Sequence, residues 1–180
     1  MIDAVQPFVS RVRTVIATEA AAIHDLAHSI DDQQEAIATA GGLLLERCGG
    51  DRRGRLVVVG MGKAGIIGRK LAATFASTGT PAFFLHPAEA RHGDLGMLCE
   101  HDCLLVLSHS GSSEEVVALL PSFARIGVPL IALTGRAESP LGRYAEAVLD
   151  IGRVREACPL GLAPSTSTTA MLAFGDAVAM

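Results

Sequence analysis

Short apolar runs alternate with helically spaced apolar residues throughout residues 51–180. Runs of Val, Ile, Leu and Phe predict strands near 56–60, 82–86, 103–108, 129–134 and 146–151. Apolar residues three or four apart predict helices near 63–78, 114–126, 139–145 and 166–180. Strands that alternate with helices are joined by right-handed crossovers into a parallel sheet. The pattern therefore predicts an α/β body whose ligands bind at the carboxyl ends of the strands.

Residues 1–50 carry a different, purely helical pattern. Apolar residues from Val5 to Ile30 keep helical spacing and predict one long helix. Asp31 followed by Gln34 is typical of a capping box that begins a second helix, and Gly49-Gly50 ends it. We therefore expect a single domain over 1–180, with a helical preface (1–50) and a βα body (51–180).

Composition and charge narrow the class of protein. Hydrophobic residues make up 49% of the chain and aromatic residues only 4%, which suits aliphatic parallel strands covered on both faces, or a subunit that hides surface in an oligomer. A net charge of −4 without a Lys/Arg cluster argues against a nucleic-acid partner. No apolar run reaches the roughly 18 residues that span a bilayer, no signal-peptide core is present, and the four cysteines form no metal-spaced pair. We expect a cytoplasmic protein without a membrane partner.

The most informative stretch follows the third predicted strand and is called the serine loop. Its sequence is Ser108-His109-Ser110-Gly111-Ser112-Ser113-Glu114-Glu115. Hydroxyls and backbone N–H groups that lead into a helix N-terminus favour an anion, because the helix dipole and the unpaired donors attract negative charge. One serine before Glu-Glu would be an ordinary helix cap. Four serines in six residues predict a phosphate site instead.

The turn after the first predicted strand matches the dinucleotide-binding pattern GxGxxG. Its residues are Gly60-Met61-Gly62-Lys63-Ala64-Gly65. Such sites also need an acid at the end of the next strand to bind the ribose, but that strand ends at His86 and the nearest acid is Glu89. We therefore expect a cationic active-site turn at Lys63 rather than a NAD site. The alternative is a tight glycine turn with a solvated lysine.

Two further segments carry candidate chemistry. The segment 86–96 follows the second strand, where a ligand-facing loop belongs, and it contains His92, which can move protons near neutral pH. The segment 156–169 follows the fifth strand and ends in a hydroxyl cluster at the start of the last helix, a second place for anion contacts. Glu156, before a Cys-Pro bend, is either a positioned base or a surface acid.

Six motifs together resemble the sugar isomerase (SIS) domain family, over nearly the whole chain. They are Gly-Met-Gly-Lys at 60–63, Ala-Thr-Phe-Ala-Ser-Thr-Gly-Thr-Pro at 73–81, His-Gly-Asp-Leu-Gly at 92–96, the serine loop, Leu-Thr-Gly-Arg at 133–136 and Glu-Ala-Cys-Pro-Leu-Gly-Leu-Ala-Pro at 156–164. The last motif is similar to the arabinose-5-phosphate isomerase branch. The resemblance implies a three-layer αβα sandwich with five parallel strands and a homotetramer without metal or cofactor. It also implies the interconversion of D-ribulose 5-phosphate and D-arabinose 5-phosphate. This reaction serves the synthesis of 3-deoxy-D-manno-octulosonate and therefore of lipopolysaccharide.

The resemblance also assigns site residues. The implied catalytic residues are Lys63, His92, Glu115 and Glu156. The implied phosphate-binding residues are Ser108, His109, Ser110, Ser113, Thr166 and Ser167. The sequence departs from the family at Ala64 (usually Ser), His109 (usually Asn) and Ser112 (usually Glu). The family also continues beyond residue 180 with a functional histidine and usually two CBS domains, so we expect the chain to be truncated before them.

The implied chemistry fits the residue types. Aldose–ketose isomerisation moves one proton between C1 and C2 through a cis-enediol, and a carboxylate suits this task if burial raises its pKa. We expect Glu156 to be the base, Lys63 or His92 to stabilise the enediolate, and His92 or the downstream histidine to open the sugar ring. The alternative is a non-catalytic SIS module that senses a sugar phosphate, although the helical preface lacks the basic helix-turn-helix typical of such regulators.

Overall fold

The computed structural model describes residues 2–50 and 53–180, and the side chains of residues 2–5, Val5 among them, lie outside the description. The helices are α1 (Ile2–Ser29), α2 (Gln34–Cys48), α3 (Gly62–Ser77), α4 (Pro87–Arg91), α5 (Glu114–Val117), α6 (Leu120–Ile126), α7 (Pro140–Tyr144) and α8 (Thr166–Ala179). The strands are β1 (Leu56–Gly60), β2 (Ala82–Leu85), β3 (Cys103–Leu107), β4 (Leu130–Thr134) and β5 (Ala147–Asp150). Each strand lies within one residue of its predicted limits.

The five strands form one parallel sheet in the order β2-β1-β3-β4-β5. β1, β3 and β4 are buried at every residue, which is why their sequences read as unbroken aliphatic runs. The strand order reverses between β1 and β3, and sheets of this type bind ligands outside the strand ends at that switch point. The Lys63 turn and the serine loop leave the sheet there, from neighbouring strands.

Helices cover both faces of the sheet, so the predicted three-layer αβα sandwich is confirmed. Successive residues of β1 alternate between two apolar cores: Leu56 and Val58 face one, while Val57 and Val59 face the other. The first core receives side chains from α1, α2, α3 and α8. The second receives side chains from α4, α5, α6 and α7. The helical preface thus contributes to one core of the sandwich.

The single helix predicted over 114–126 is wrong, because the chain forms two helices there. Pro121 has no N–H to donate to the carbonyl of Val117, so the helical ladder cannot pass through it. The chain instead tightens at Leu119, whose N–H donates to the carbonyl of Val116 over 3.1 Å, before α6 begins. The helix that follows the serine loop is therefore a single turn, and the dipole behind the loop is that of a one-turn helix.

The junction between the two preface helices also differs from its prediction. Residues 31–33 form a 3₁₀ turn, and α2 begins at Gln34 without a side-chain cap, so the predicted capping box does not form. The neighbouring Gln33 instead uses its amide on the edge strand β5. Its Nε2 donates to the carbonyl of Asp150 over 2.9 Å, and its Oε1 accepts from the Asp150 N–H over 2.8 Å. The Gln33 side chain therefore pairs with the sheet edge as a peptide group would.

Segment 86–96, predicted as a loop, is partly helical. His86 accepts a hydrogen bond from the Ala88 N–H at Nδ1 over 3.3 Å and so caps α4. A 3₁₀ turn follows over Asp94–Met97. The short helix places His92 at its C-terminal end with an exposed side chain.

The long helix α1 leaves much of its apolar stripe uncovered. Leu26 is buried, but Phe8 is 68% exposed and Ile16 is 63% exposed, and both lie on the preface helix that packs beside α8. A contiguous apolar surface of this kind is typical of a site for another protein surface. Within the described residues, no helix combines the length and the apolar character that crossing a membrane requires.

Candidate active site

The serine loop gathers its hydroxyls into a compact turn at the end of β3. The Oγ atoms of Ser108 and Ser113 lie 2.9 Å apart, and the Ser112 N–H donates to Ser110 Oγ over 3.2 Å. Ser113 does not cap α5 with its side chain, so its hydroxyl turns toward Ser108. Gly111 has φ +60° and closes the turn by donating to the Ser108 carbonyl over 3.0 Å. The loop therefore presents hydroxyl groups that are held by neutral partners.

The segment between β4 and α7 holds this loop in place. Gly111 packs so closely on Ser139 that a Cβ there would collide with its hydroxyl. The Gly111 carbonyl accepts from the Leu141 N–H over 3.1 Å, and the His109 carbonyl accepts from the Gly135 N–H over 3.1 Å. Two backbone hydrogen bonds and one close contact thus fix the loop before any ligand binds, which lowers the entropy lost on binding.

The glycines of the Lys63 turn have a packing role. A Cβ on Gly65 would lie 2.5 Å from the carbonyl oxygen of Gly60, and Gly62 has φ +57°. These residues let α3 start directly at the end of β1, which accounts for the GxGxxG spacing without a dinucleotide. The Lys63 side chain is exposed in the first turn of α3, beside the switch point of the sheet.

Glu156 lies at the N-terminus of α8, where its carboxylate accepts backbone hydrogen bonds. Oε2 accepts from the Ser165 N–H over 2.8 Å and from the Thr166 N–H over 2.9 Å. Burial raises the pKa of Glu156, but hydrogen bonds from Ser165, Ser167 and Thr166 together lower it by more than burial raises it. The pKa therefore lies below its usual 4.5. The expected net increase in the pKa of this carboxyl is therefore wrong, because the hydrogen bonds outweigh burial and favour the ionised form.

The hydroxyl cluster at the start of α8 serves Glu156. Thr166 and Ser167 are each only 1% exposed. Thr166 Oγ1 accepts from the Ala157 N–H over 3.0 Å, and Ser167 helps to lower the pKa of Glu156. The Thr166 hydroxyl is thus used inside the protein, and contact of either hydroxyl with a phosphate stays a prediction.

His109 connects the serine loop with the Glu156 segment. A Cβ on Gly135 would lie 2.6 Å from His109 Cδ2 and 2.9 Å from Nε2, so the ring rests on this glycine. Burial lowers the pKa of His109 below 6.5, the Glu156 carboxylate raises it and Arg136 lowers it, with a net decrease. The ring is therefore a neutral imidazole at pH 7, within the electrostatic reach of Glu156 and Arg136.

The remaining predicted residues lie apart from Glu156. Glu115 is half-buried in α5, two residues after Ser113, and α4, which ends before His92, packs against α5. His92 follows β2 at one edge of the sheet, and Glu156 follows β5 at the other. Four strand spacings separate these edges, roughly 19 Å. One copy of the chain thus brings the Lys63 turn and the serine loop together, and His109 near Glu156, whereas His92 and Glu156 follow opposite edge strands.

A cleft opens beside Glu156, between α1 and the segment that follows β5. Its volume is about 1080 Å³, which is large enough for a small ligand. Four arginines line it: Arg11, Arg13, Arg153 and Arg155. No group of three or more His, Cys, Asp or Glu side chains that could hold a metal ion occurs in the described part of the chain.

The residues that sequence reasoning missed lie between β4 and α7. Gly135, Arg136 and Ser139 had no assigned role, although the Leu-Thr-Gly-Arg motif at 133–136 marked the segment. A glycine directly after a buried strand was the available signal, because close backbone approach at a strand end requires it.

Comparison with known proteins places these features in a family. A family model described as the SIS domain matches residues 51–180. The chain is 50% identical over 168 residues to the arabinose 5-phosphate isomerase KdsD of Pseudomonas aeruginosa. The aligned region covers 88% of this chain and 50% of that protein. It is 58% identical over 128 residues to the KdsD of Shigella flexneri, covering 71% of this chain and 39% of that protein. The chain thus spans half or less of the length of these curated relatives.

Solved structures show the same architecture. The Escherichia coli CFT073 protein c3406, in complex with arabinose 5-phosphate, has a TM-score of 0.88 and 40% identity, over 97% of this chain and 88% of that chain. The Vibrio vulnificus NanR protein complexed with ManNAc-6P has a TM-score of 0.73 at 17% identity, over 99% of this chain and 63% of that one. The second similarity concerns the fold alone.

Proposed function

The chain belongs to the SIS domain family, and we propose that it is an aldose–ketose isomerase that interconverts D-ribulose 5-phosphate and D-arabinose 5-phosphate. One observation carries the proposal: a serine loop, fixed by backbone hydrogen bonds, lies at the switch point of the sheet beside Lys63. The choice of substrate is supported by the isomerases at 50% and 58% identity and by the ligand of the c3406 structure.

The serine loop holds the phosphate group in this proposal. Ser108, Ser110 and Ser113 offer hydroxyl donors, and the backbone of the loop is already in place. The phosphate does not react, so its binding energy serves to orient the other end of the sugar. A loop held by neutral groups leaves the charge of the dianion unneutralised, and we assign Lys63, which follows the neighbouring strand β1, as a cation that balances it.

The Glu156 carboxylate moves the proton between C1 and C2. Its lowered pKa keeps it ionised near neutral pH, which is the form that accepts a proton. The hydrogen bonds at the start of α8 hold it in one orientation. Lys63 stabilises the enediolate charge that develops as the proton leaves carbon. Glu115, the last residue of the serine loop, is the second candidate for the base.

We also assign the chain to a cytoplasmic homotetramer that supplies arabinose 5-phosphate for lipopolysaccharide synthesis. The exposed apolar stripe of α1 supports the assembly, because Phe8 and Ile16 need a covering surface. Assembly also offers a way for His92 to act, since a second copy can bring this residue to Glu156, whereas within one chain the two follow opposite edges of the sheet.

The test is incubation with ribulose 5-phosphate in D₂O, followed by NMR. We expect arabinose 5-phosphate to appear and deuterium to enter the sugar at C1 or C2, because an enediol intermediate exchanges its proton with solvent. A protein that is stabilised against heat by the sugar phosphate but exchanges no deuterium would instead be a sensing module, which is the alternative function. Stabilisation by NADH alone would contradict both.

A further inference from the structure

His109 is a titratable side chain inside the serine loop that proton transfer between C1 and C2 does not use. It is neither a hydroxyl donor like its neighbours nor solvated like His92, since it is half-buried. From the position of its ring, and resting on the isomerase proposed above, we propose that His109 is the catalytic residue that opens the furanose ring of the aldose substrate.

The backbone of His109 is fixed, so its ring has a defined direction. The His109 carbonyl accepts from Gly135 N–H over 3.1 Å and from Thr134 Oγ1 over 3.4 Å. A Cβ added to Gly135 would lie 2.9 Å from His109 Nε2 and 2.6 Å from the carbonyl oxygen of Gly152. The His109 ring and the Gly152 carbonyl therefore both lie next to Gly135. Gly152 begins the segment that leads to Glu156. The ring therefore extends from the phosphate-binding loop toward the segment that carries the base.

The shape of the substrate places the ring oxygen in this interval. In the furanose form of arabinose 5-phosphate, O4 joins C1 to C4, and C4 is one carbon away from the phosphorylated C5. A sugar whose phosphate binds Ser108 and Ser113 and whose C1–C2 bond faces Glu156 presents O4 and O1 between them. The His109 ring extends from the serine loop toward the Gly152 segment, so we assign it to these two oxygens.

The proposed step conserves protons and electrons. The neutral imidazole accepts the proton of the O1 hydroxyl, and the O1–H electron pair becomes the second bond of the C1=O1 carbonyl. The C1–O4 bond breaks, its electron pair stays on O4, and O4 takes the proton back from the imidazolium. Because O1 and O4 are both attached to C1, one ring nitrogen can serve both oxygens.

The surroundings favour the neutral form that this step needs. Burial lowers the pKa of His109, Glu156 raises it and Arg136 lowers it; these are the charged groups facing the ring from the β5–α8 and β4–α7 segments. The net decrease keeps the imidazole unprotonated at pH 7. His92, one of the two histidines that the family resemblance implies for ring opening, follows β2, the edge strand opposite to β5.

Single-turnover kinetics with the chain in excess over arabinose 5-phosphate test the assignment. The wild type should bring the aldose to its equilibrium with the ketose in one phase. His109→Asn should convert only the small open-chain fraction quickly, and the rest in a phase on the order of 10²-fold slower. The rate of that phase should not change with protein concentration, because uncatalysed ring opening in solution limits it. With ribulose 5-phosphate, which cannot close a furanose because O5 carries the phosphate, deuterium exchange should fall by a much smaller factor than the slow aldose phase, because no ring has to open.

His109→Gln is the second variant, and His101→Gln, an exposed histidine before β3, is the matched control. A melting-temperature rise with inorganic phosphate shows that the loop remains folded in each variant. A slow phase that accelerates with protein concentration, or an equal loss with ribulose 5-phosphate, would overturn the role of His109. A wild type that exchanges no deuterium with ribulose 5-phosphate would instead overturn the isomerase itself.

Discussion

The serine loop and the start of α8 are two hydroxyl-rich segments with similar sequences and different occupants. At α8, the protein supplies its own anion, because the Glu156 carboxylate accepts from the N–H groups of Ser165 and Thr166. In the serine loop, the Ser108 and Ser113 hydroxyls bond to each other, and no carboxylate of the described residues accepts a hydrogen bond from them. The comparison indicates that the number of hydroxyls does not by itself identify a site for an external anion. Such a site also needs donors that no carboxylate of the protein already occupies.

The largest expected effect comes from removing the Glu156 carboxylate at the start of α8. Glu156→Gln should lower deuterium exchange with ribulose 5-phosphate by on the order of 10²- to 10⁴-fold, because the amide cannot accept the proton. Sugar-phosphate binding should persist, since the phosphate binds elsewhere and the amide oxygen still caps α8. NMR gives the exchange and a thermal shift gives the binding. Glu100→Gln, at an exposed site before β3, is the matched control; unchanged exchange in Glu156→Gln would move the base to Glu115.

Lys63→Ala tests whether the serine loop works without a nearby cation. We expect a loss of about 2–4 kcal/mol of transition-state stabilisation, measured as kcat/KM. Lys70→Ala is the matched control, because this lysine of the same helix pairs with Asp176 on α8, and such exposed pairs contribute little. Near-normal kcat/KM in Lys63→Ala would identify Lys63 as a solvated turn residue.

The double variant Ser110→Ala, Ser113→Ala tests whether the hydroxyls of the serine loop bind the phosphate. In the wild type, a sugar phosphate at a hundredfold excess over Kd should add about 2.7 kcal/mol to the free energy of unfolding, a rise in Tm of roughly 5–10 °C. The double variant should lose most of that rise, and about 1 kcal/mol without ligand, because the Ser108–Ser113 bond is removed. Ser77→Ala at the end of α3 should keep the full rise, and unphosphorylated arabinose should produce none. A full rise in the double variant would place the phosphate elsewhere.

The smallest expected effect is the pH dependence of stability. The pKa of Glu156 is lower in the folded protein than its usual 4.5, so it stabilises the fold above pH 4.5 and this contribution is lost as the pH falls through the folded value. Glu156→Gln lacks this contribution, so the Tm difference between it and the wild type should narrow below pH 4.5. Parallel Tm curves for the two proteins would contradict the hydrogen bonding at α8.

The sheet could be predicted from the sequence because buried parallel strands are continuous aliphatic runs, and β1, β3 and β4 are buried at every residue. The break at Pro121 was visible but outweighed by apolar spacing on both sides of it. The family resemblance supplied Lys63 and Glu156. It did not predict the lowered pKa of Glu156, since hydrogen bonds from residues nine or ten positions later depend on how the intervening loop folds.

Contacts between loops of different strands could not be predicted from the sequence either, because they also depend on how the chain folds. His109 and Gly135 are 26 positions apart, and only the parallel register of β3 and β4 brings the loops that follow them together. The clamp of Ser139 on Gly111 has the same origin. Local patterns thus predicted the loops to which we assign the site, while the fold determined which side chains of those loops meet.

The Gln33 amide has a consequence for aggregation. An exposed edge strand is a template on which a strand of another molecule can grow, and the backbone groups of Asp150 would offer such a template. Gln33 occupies both of them. Copies of this protein are thereby discouraged from adding to one another at the carboxyl end of β5 by strand extension, and a chain with Gln33→Ala should be more prone to form β-rich aggregates during refolding.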